Sequence, residues 1–106
     1  MKYIFDIDGT VCYNNNGDYY NSKPMRNRIE IINKLYDQGN EIHFFTARGM
    51  SRNKGNVSKC YNQFYSLTYN QLTEWGVKFH SLILGKPSGD MYVDDKGVTD
   101  VDFFGN

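Results

Sequence analysis

Residues 2–8 (KYIFDID) form a short, nearly continuous apolar run that ends in carboxylates, as a strand covered on both faces would read. A first, central strand is predicted there. From Val11 to Pro24 the chain turns to Asn, Gly, Tyr and Ser, with Asn14, Asn15, Asn16 and Gly17 in succession, which predicts a loop or small hairpin. Behind Pro24, the residues Met25, Ile29, Ile32 and Leu35 recur at spacings of four, three and three before Gly39, the signature of a helix of about four turns that the glycine ends. Glu41–Thr46 (EIHFFT) reads as a second strand, and Arg48 to Asn56 as a basic, glycine-containing loop. Phe64, Thr68, Leu72 and Trp75 lie on one face of a second helix closed by Gly76, and His80–Leu84 and Met91–Asp94 read as two further strands separated by GKPSGD.

Strands that alternate with helices make an α/β domain with a central parallel sheet. Ligands bind such sheets outside the carboxyl ends of the strands. Polar residues collect at those ends: Asp6 and Asp8 after the first, Thr46 after the second, Lys86 after the third, Asp94 and Asp95 after the fourth. One connection strains this plan. Only Gly85 to Asp90 separate the last two strands, whereas a parallel crossover normally takes a dozen residues or more, so an extended crossing is expected.

With 106 residues the chain reads as a single domain, 1–106. Twelve Lys and Arg balance twelve Asp and Glu, so no global field draws it to nucleic acid or an acidic membrane. No apolar run approaches the roughly 20 residues that a membrane helix requires, no signal-peptide pattern is seen, and the two cysteines, Cys12 and Cys60, fit reduced thiols better than a disulfide framework. A soluble, cytoplasmic protein is expected.

Carboxylates at buried strand ends are costly unless paired or metal-bound. Mg²⁺ prefers oxygen ligands, keeps several waters and is usually held by one or two carboxylates plus a substrate phosphate. Asp6 and Asp8, two apart in an extended strand, point to the same side, and Gly9 allows a tight turn directly after them. The EF-hand alternative fails, because Thr10 and Gly17 stand where further ligands are required. The glycine and lysine before Pro87 are no phosphate-binding Walker loop, since His80 occupies the first glycine position.

The residues DIDGT (6–10), Thr46, Lys86 and the Asp94–Asp95 pair, in that order, resemble the four motifs of the haloacid dehalogenase (HAD) superfamily. TARGM (46–50), GNVSK (55–59), LTEWG (72–76), LGKP (84–87) and YVDDK (92–96) are similar to small phosphatases associated with capsular polysaccharide biosynthesis, with a shorter stretch after Pro87. The resemblance implies a Rossmann-like three-layer, HAD-like fold and a Mg²⁺-dependent phosphatase. Asp6 would be the nucleophile that becomes an aspartyl-phosphate, and Asp8 the general acid and then base. Thr46 would bind phosphoryl oxygens and Lys86 would neutralise charge. Asp6, the Asp8 carbonyl, Asp95 and, less directly, Asp94 would hold Mg²⁺. Gly9, Thr10, Ala47, Arg48 and Asn56 are the candidate substrate-binding positions, with Arg48 an anion clamp on the basic loop or simply a solvated residue.

The 14 residues from Val11 to Pro24 are too few for a folded cap. A capless, open site is expected, acting on a sugar phosphate or similar small phosphorylated metabolite, in a monomer or in a homo-oligomer whose neighbour closes the site. A nucleic-acid end phosphatase is the main alternative, disfavoured by neutral charge and the lack of a long basic stripe. A non-enzymatic receiver-type domain shares the residue types but carries its phosphorylated aspartate on a later strand. His43 and His80 read as structural histidines.

Overall fold

The computed structural model describes residues 1–105. Three strands, β1 (Lys2–Phe5), β2 (Glu41–Thr46) and β3 (Ser81–Leu84), form a parallel sheet in the order β1-β2-β3. Helix α1 (Arg26–Asp37) joins the first pair and α2 (Val57–Glu74) the second, while a short α3 (Asp100–Phe104) follows at the end. The register sets Phe5 beside Phe44 and Phe44 beside Leu82. These residues, with Ile42, Leu84, Ile29, Ile32, Phe64 and Leu72, form the core.

Two successive right-handed crossovers in one direction put both helices on the same side of the sheet. The described residues therefore form two layers and not the expected three, with Ile4 and Ile83 exposed on the other face. Burial follows that geometry. Along β2, Ile42, Phe44 and Thr46 are buried and alternate with more exposed residues, and β3 repeats the pattern. The first strand, expected to be central and covered on both faces, is an outer strand of the described sheet and alternates too, with Phe5 buried and Ile4 64% exposed.

Each helix stops where its glycine allows. Gly39 and Gly76 take positive φ, and the N–H groups of Gly39 and Gly76 bond back to Tyr36 and Thr73. Helix α2 starts at Asn56, whose side chain accepts from the Lys59 N–H, satisfying one of the donors that every helix start leaves open. Helix α3 is anchored on β1 by rings: Phe103 packs edge-on against Tyr3 and Phe5, and Arg28 of α1 binds Asp100 at 2.8 Å while its guanidinium lies over Phe104.

The predicted fourth strand does not form. Met91–Asp94 is exposed and pairs with nothing in the sheet, and a six-residue connection from β3 is too short for a parallel crossover. Residues 85–99 instead run as an irregular strap from β3 to α3.

Candidate active site

Just past β1 the chain makes a tight turn. The N–H groups of Thr10 and Val11 both bond to the Ile7 carbonyl, and Gly9 sits at φ +83°. A side chain at that φ is strained, so this position favours glycine for its conformation. The turn leaves Asp6 and Asp8 facing a polar cleft of about 250 Å³ that Thr46, Ala47, Asn14, Asn15, Ser51 and Ser88 also line. A larger groove, about 320 Å³, lies at the other end of the strands among Tyr36, Tyr65, Tyr69 and Phe79. It holds no carboxylate, and the strand-end cleft is the one where chemistry-bearing groups meet.

Asp6 is the more accessible carboxylate, its side chain 38% exposed and its Oδ2 3.7 Å from Lys86 Nζ. Burial pushes its carboxyl above the ordinary value, while the Ile7 backbone and Lys86 pull it back down. Lys86 is held from both sides: its N–H bonds to the Thr46 carbonyl, and its ammonium rests 4.3 Å over the Tyr92 ring. Thr46 is fully buried, with its hydroxyl oxygen accepting from the Arg48 N–H. Four of the expected catalytic positions, Asp6, Asp8, Thr46 and Lys86, thus converge as the motif order implied.

Arg48 takes a different place from the anion clamp considered above. Its side chain has no exposure, and it grips Asp8 with two bonds, Nε to Oδ2 at 2.9 Å and Nη2 to Oδ1 at 3.0 Å. Nη1 donates to Thr68 and Gln71, and Nη2 also to Ser22. The basic loop's other near cation, Arg52, donates to the Gly17 carbonyl and stacks on Tyr19 and Phe64. Asn56 caps α2 and does not line the cleft, and Thr10 uses its carbonyl to accept from Arg28. Of the three tyrosines of the first loop only Tyr19 reaches the cleft, while Tyr13 and Tyr20 remain largely exposed.

The carboxylates expected to complete a metal centre are elsewhere. Asp94 and Asp95 are exposed on the strap, and Asp94 accepts the Lys96 and Gly97 N–H groups, which hold its carboxyl below the usual range. Among the described residues no three His, Cys, Asp or Glu side chains gather as metal ligands. The Asp8 carboxylate is taken by Arg48, which leaves Asp6 as the carboxylate open to a cation. A protein-only Mg²⁺ cage does not fit these residues. A Mg²⁺ that leans on one carboxylate, waters and a substrate phosphate does.

Asn14, Asn15, Ser51 and Ser88 were not foreseen as lining residues. Their signal was proximity alone: each lies in a loop leaving or entering a strand end. His43 and His80 prove structural, His43 bonded to Ser81 and Glu41, and His80 Nδ1 accepting the Ile42 N–H.

No protein-family model and no curated protein matches the chain. Among solved structures, a structural-genomics target from Vibrio cholerae is 32% identical over 97% of this chain and 86% of its own, with a TM-score of 0.90. The D,D-heptose 1.7-bisphosphate phosphatase from B. bronchiseptica, complexed with magnesium and phosphate, matches at 17% identity over 92% of this chain and 53% of its own, TM-score 0.56. That second likeness identifies the α/β fold as HAD-like.

Proposed function

We propose that this chain, which belongs to one family with the Vibrio cholerae protein, is a phosphomonoester hydrolase that works through an aspartyl-phosphate on Asp6 and acts on a sugar phosphate or similar small metabolite. One observation carries this reading: an accessible Asp6 beside Lys86, with Asp8 and Thr46 at the same cleft, at the carboxyl edge of a HAD-like sheet. In the first step an Asp6 carboxylate oxygen attacks phosphorus and the bond to the ester oxygen breaks. Asp8 hands its proton to that oxygen, so the alcohol leaves neutral. In the second step Asp8 takes a proton from water, whose oxygen attacks phosphorus; inorganic phosphate departs and Asp6 is restored. Lys86 offsets the negative charge that Asp6 and the phosphoryl group bring together, the electrostatic help that phosphoryl transfer chiefly needs. Bound at Asp6 and the substrate phosphate, Mg²⁺ would add a further positive charge at the phosphoryl oxygens.

The walls favour a small neutral leaving group. Asn14, Asn15, Ser51 and Ser88 offer amides and hydroxyls, groups that pair with a polyol. An oligonucleotide would need several free cations around the mouth, and both Arg48 and Arg52 are already bonded to the protein. Phosphate release from sugar phosphates, nucleotides and a 3′-phosphorylated oligonucleotide, measured with Mg²⁺ and with chelator, tests this. Sugar phosphates should turn over best, chelator should stop the reaction, and Asp6→Asn should leave less than about 1% of the rate, given the ~10²-fold or larger effect of single catalytic groups. Preference for the oligonucleotide would overturn the substrate class, and an active Asp6→Asn the mechanism.

A further inference from the structure

We infer that Arg48 is a positioning residue that acts on the reaction through Asp8, fixing the direction of its carboxylate, and that it makes no contact with substrate. The inference rests on the phosphatase reading and deepens it. A guanidinium has five N–H donors, and here all five have acceptors: two on Asp8, one each on Thr68, Gln71 and Ser22. None is left for a phosphate, and the side chain has no exposure while Asp8 is 21% exposed. Arg48 belongs to the cleft wall, but its side chain has no exposure, so substrate reaches the Asp8 carboxylate and not the guanidinium.

The partners come from separate parts of the fold. Thr68 and Gln71 lie on α2, Ser22 in the first loop, and the Tyr19 ring packs under the guanidinium at 4.8 Å. Gln71 is itself held by donating to the Tyr19 carbonyl at 2.6 Å. The fork therefore transmits the positions of helix and loop to one carboxylate, with the two-point geometry that arginine, unlike lysine, can impose. Its chemical value falls in the transition state. As Asp8 gives up its proton to the leaving oxygen, negative charge appears on the carboxylate, and two donors already aimed at both of its oxygens meet that charge without rearranging.

A structural role alone would lower every rate equally, so the test compares leaving groups. An alkyl ester leaves as an alkoxide and needs the proton; a nitrophenyl ester leaves as a stable phenolate and hardly does. Rapid-quench measurement of leaving-group release in the first turnover, on both esters, is made for the wild type, Asp8→Asn, Arg48→Lys and Thr68→Val. Arg48→Lys should slow alkyl release by about 10²-fold, leave nitrophenyl release within severalfold, and keep the half-saturating concentrations within about twofold. Asp8→Asn should show the same selectivity more strongly. Thr68→Val, which removes one support of the fork with little change of shape, should show it more weakly and carries the test if Arg48→Lys does not fold. Equal slowing of both esters, or a raised half-saturating concentration with the rate preserved, overturns the positioning role while the phosphatase reading stands. A wild type that releases neither leaving group overturns both.

Discussion

At the scale of single residues, the cleft shows how one neighbourhood gives two aspartates separate tasks. Asp6 is open to the cleft with an ammonium nearby, while Asp8 is bound on both oxygens. Cys12 lies against Asp8 and Arg48, its Sγ 3.4 Å from Asp8 Oδ1, and its burial, followed by the charge of Asp8, pushes its thiol up to about 12. A thiol with that value carries almost no thiolate at pH 8, and the thiolate is the reactive form. Cys12 should therefore resist iodoacetamide in the native protein at pH 8 and react once denaturant exposes it; rapid native alkylation, followed by peptide mass spectrometry, would contradict this. The role of Arg48 was not legible in the sequence. Next to Arg52, Lys54 and Lys59 it reads as an anion clamp or as one cation of a solvated loop, because the partners that bury it stand 20 to 40 residues away. Asp6, Asp8, Thr46 and Lys86 were legible, since each follows a recognisable strand and their order is itself informative.

At the scale of elements, α3 depends on a few contacts. It spans five residues, too short to hold itself in water, and is secured by Phe103 and Phe104 on β1, by the Thr99 cap and by Asp100 on Arg28. The Arg28 bond holds the Asp100 carboxyl below its usual range. A lowered folded-state value means the contribution is present above the unfolded value of about 3.9 and is lost as pH falls through the folded one. Asp100 is 35% exposed, so screening limits the effect to about 1 kcal/mol or less. Asp100→Asn should lower Tm by a few degrees at pH 7, in line with roughly 4–8 °C per kcal/mol for domains of this size, and the gap should narrow toward pH 3. A constant gap across that range would show that the ion pair is not its source. Periodicity disclosed α1 and α2, whose buried faces are long enough to repeat. It overreached at Met91–Asp94, where apolar residues are present but the preceding connection cannot carry the chain back across the sheet, and it missed α3, whose single turn repeats nothing.

At the scale of the whole molecule, formal charge is zero and the local arrangement of charge decides what can bind. Two helices against one face of three parallel strands support a carboxyl edge on which β1, β2 and the start of the strap each place a group. The first loop brings Asn14, Asn15 and Tyr19 to the rim without a folded cap. No helix among the described residues is long and apolar enough to cross a membrane. The central claim, that Asp6 carries the phosphoryl group between ester and water, is tested most directly by acid-quenching the protein during turnover of a phosphate ester and sequencing its peptides by mass spectrometry. The account predicts one phosphoryl adduct, on Asp6, absent from Asp6→Asn. An adduct on another residue, or one that persists in Asp6→Asn, would contradict it.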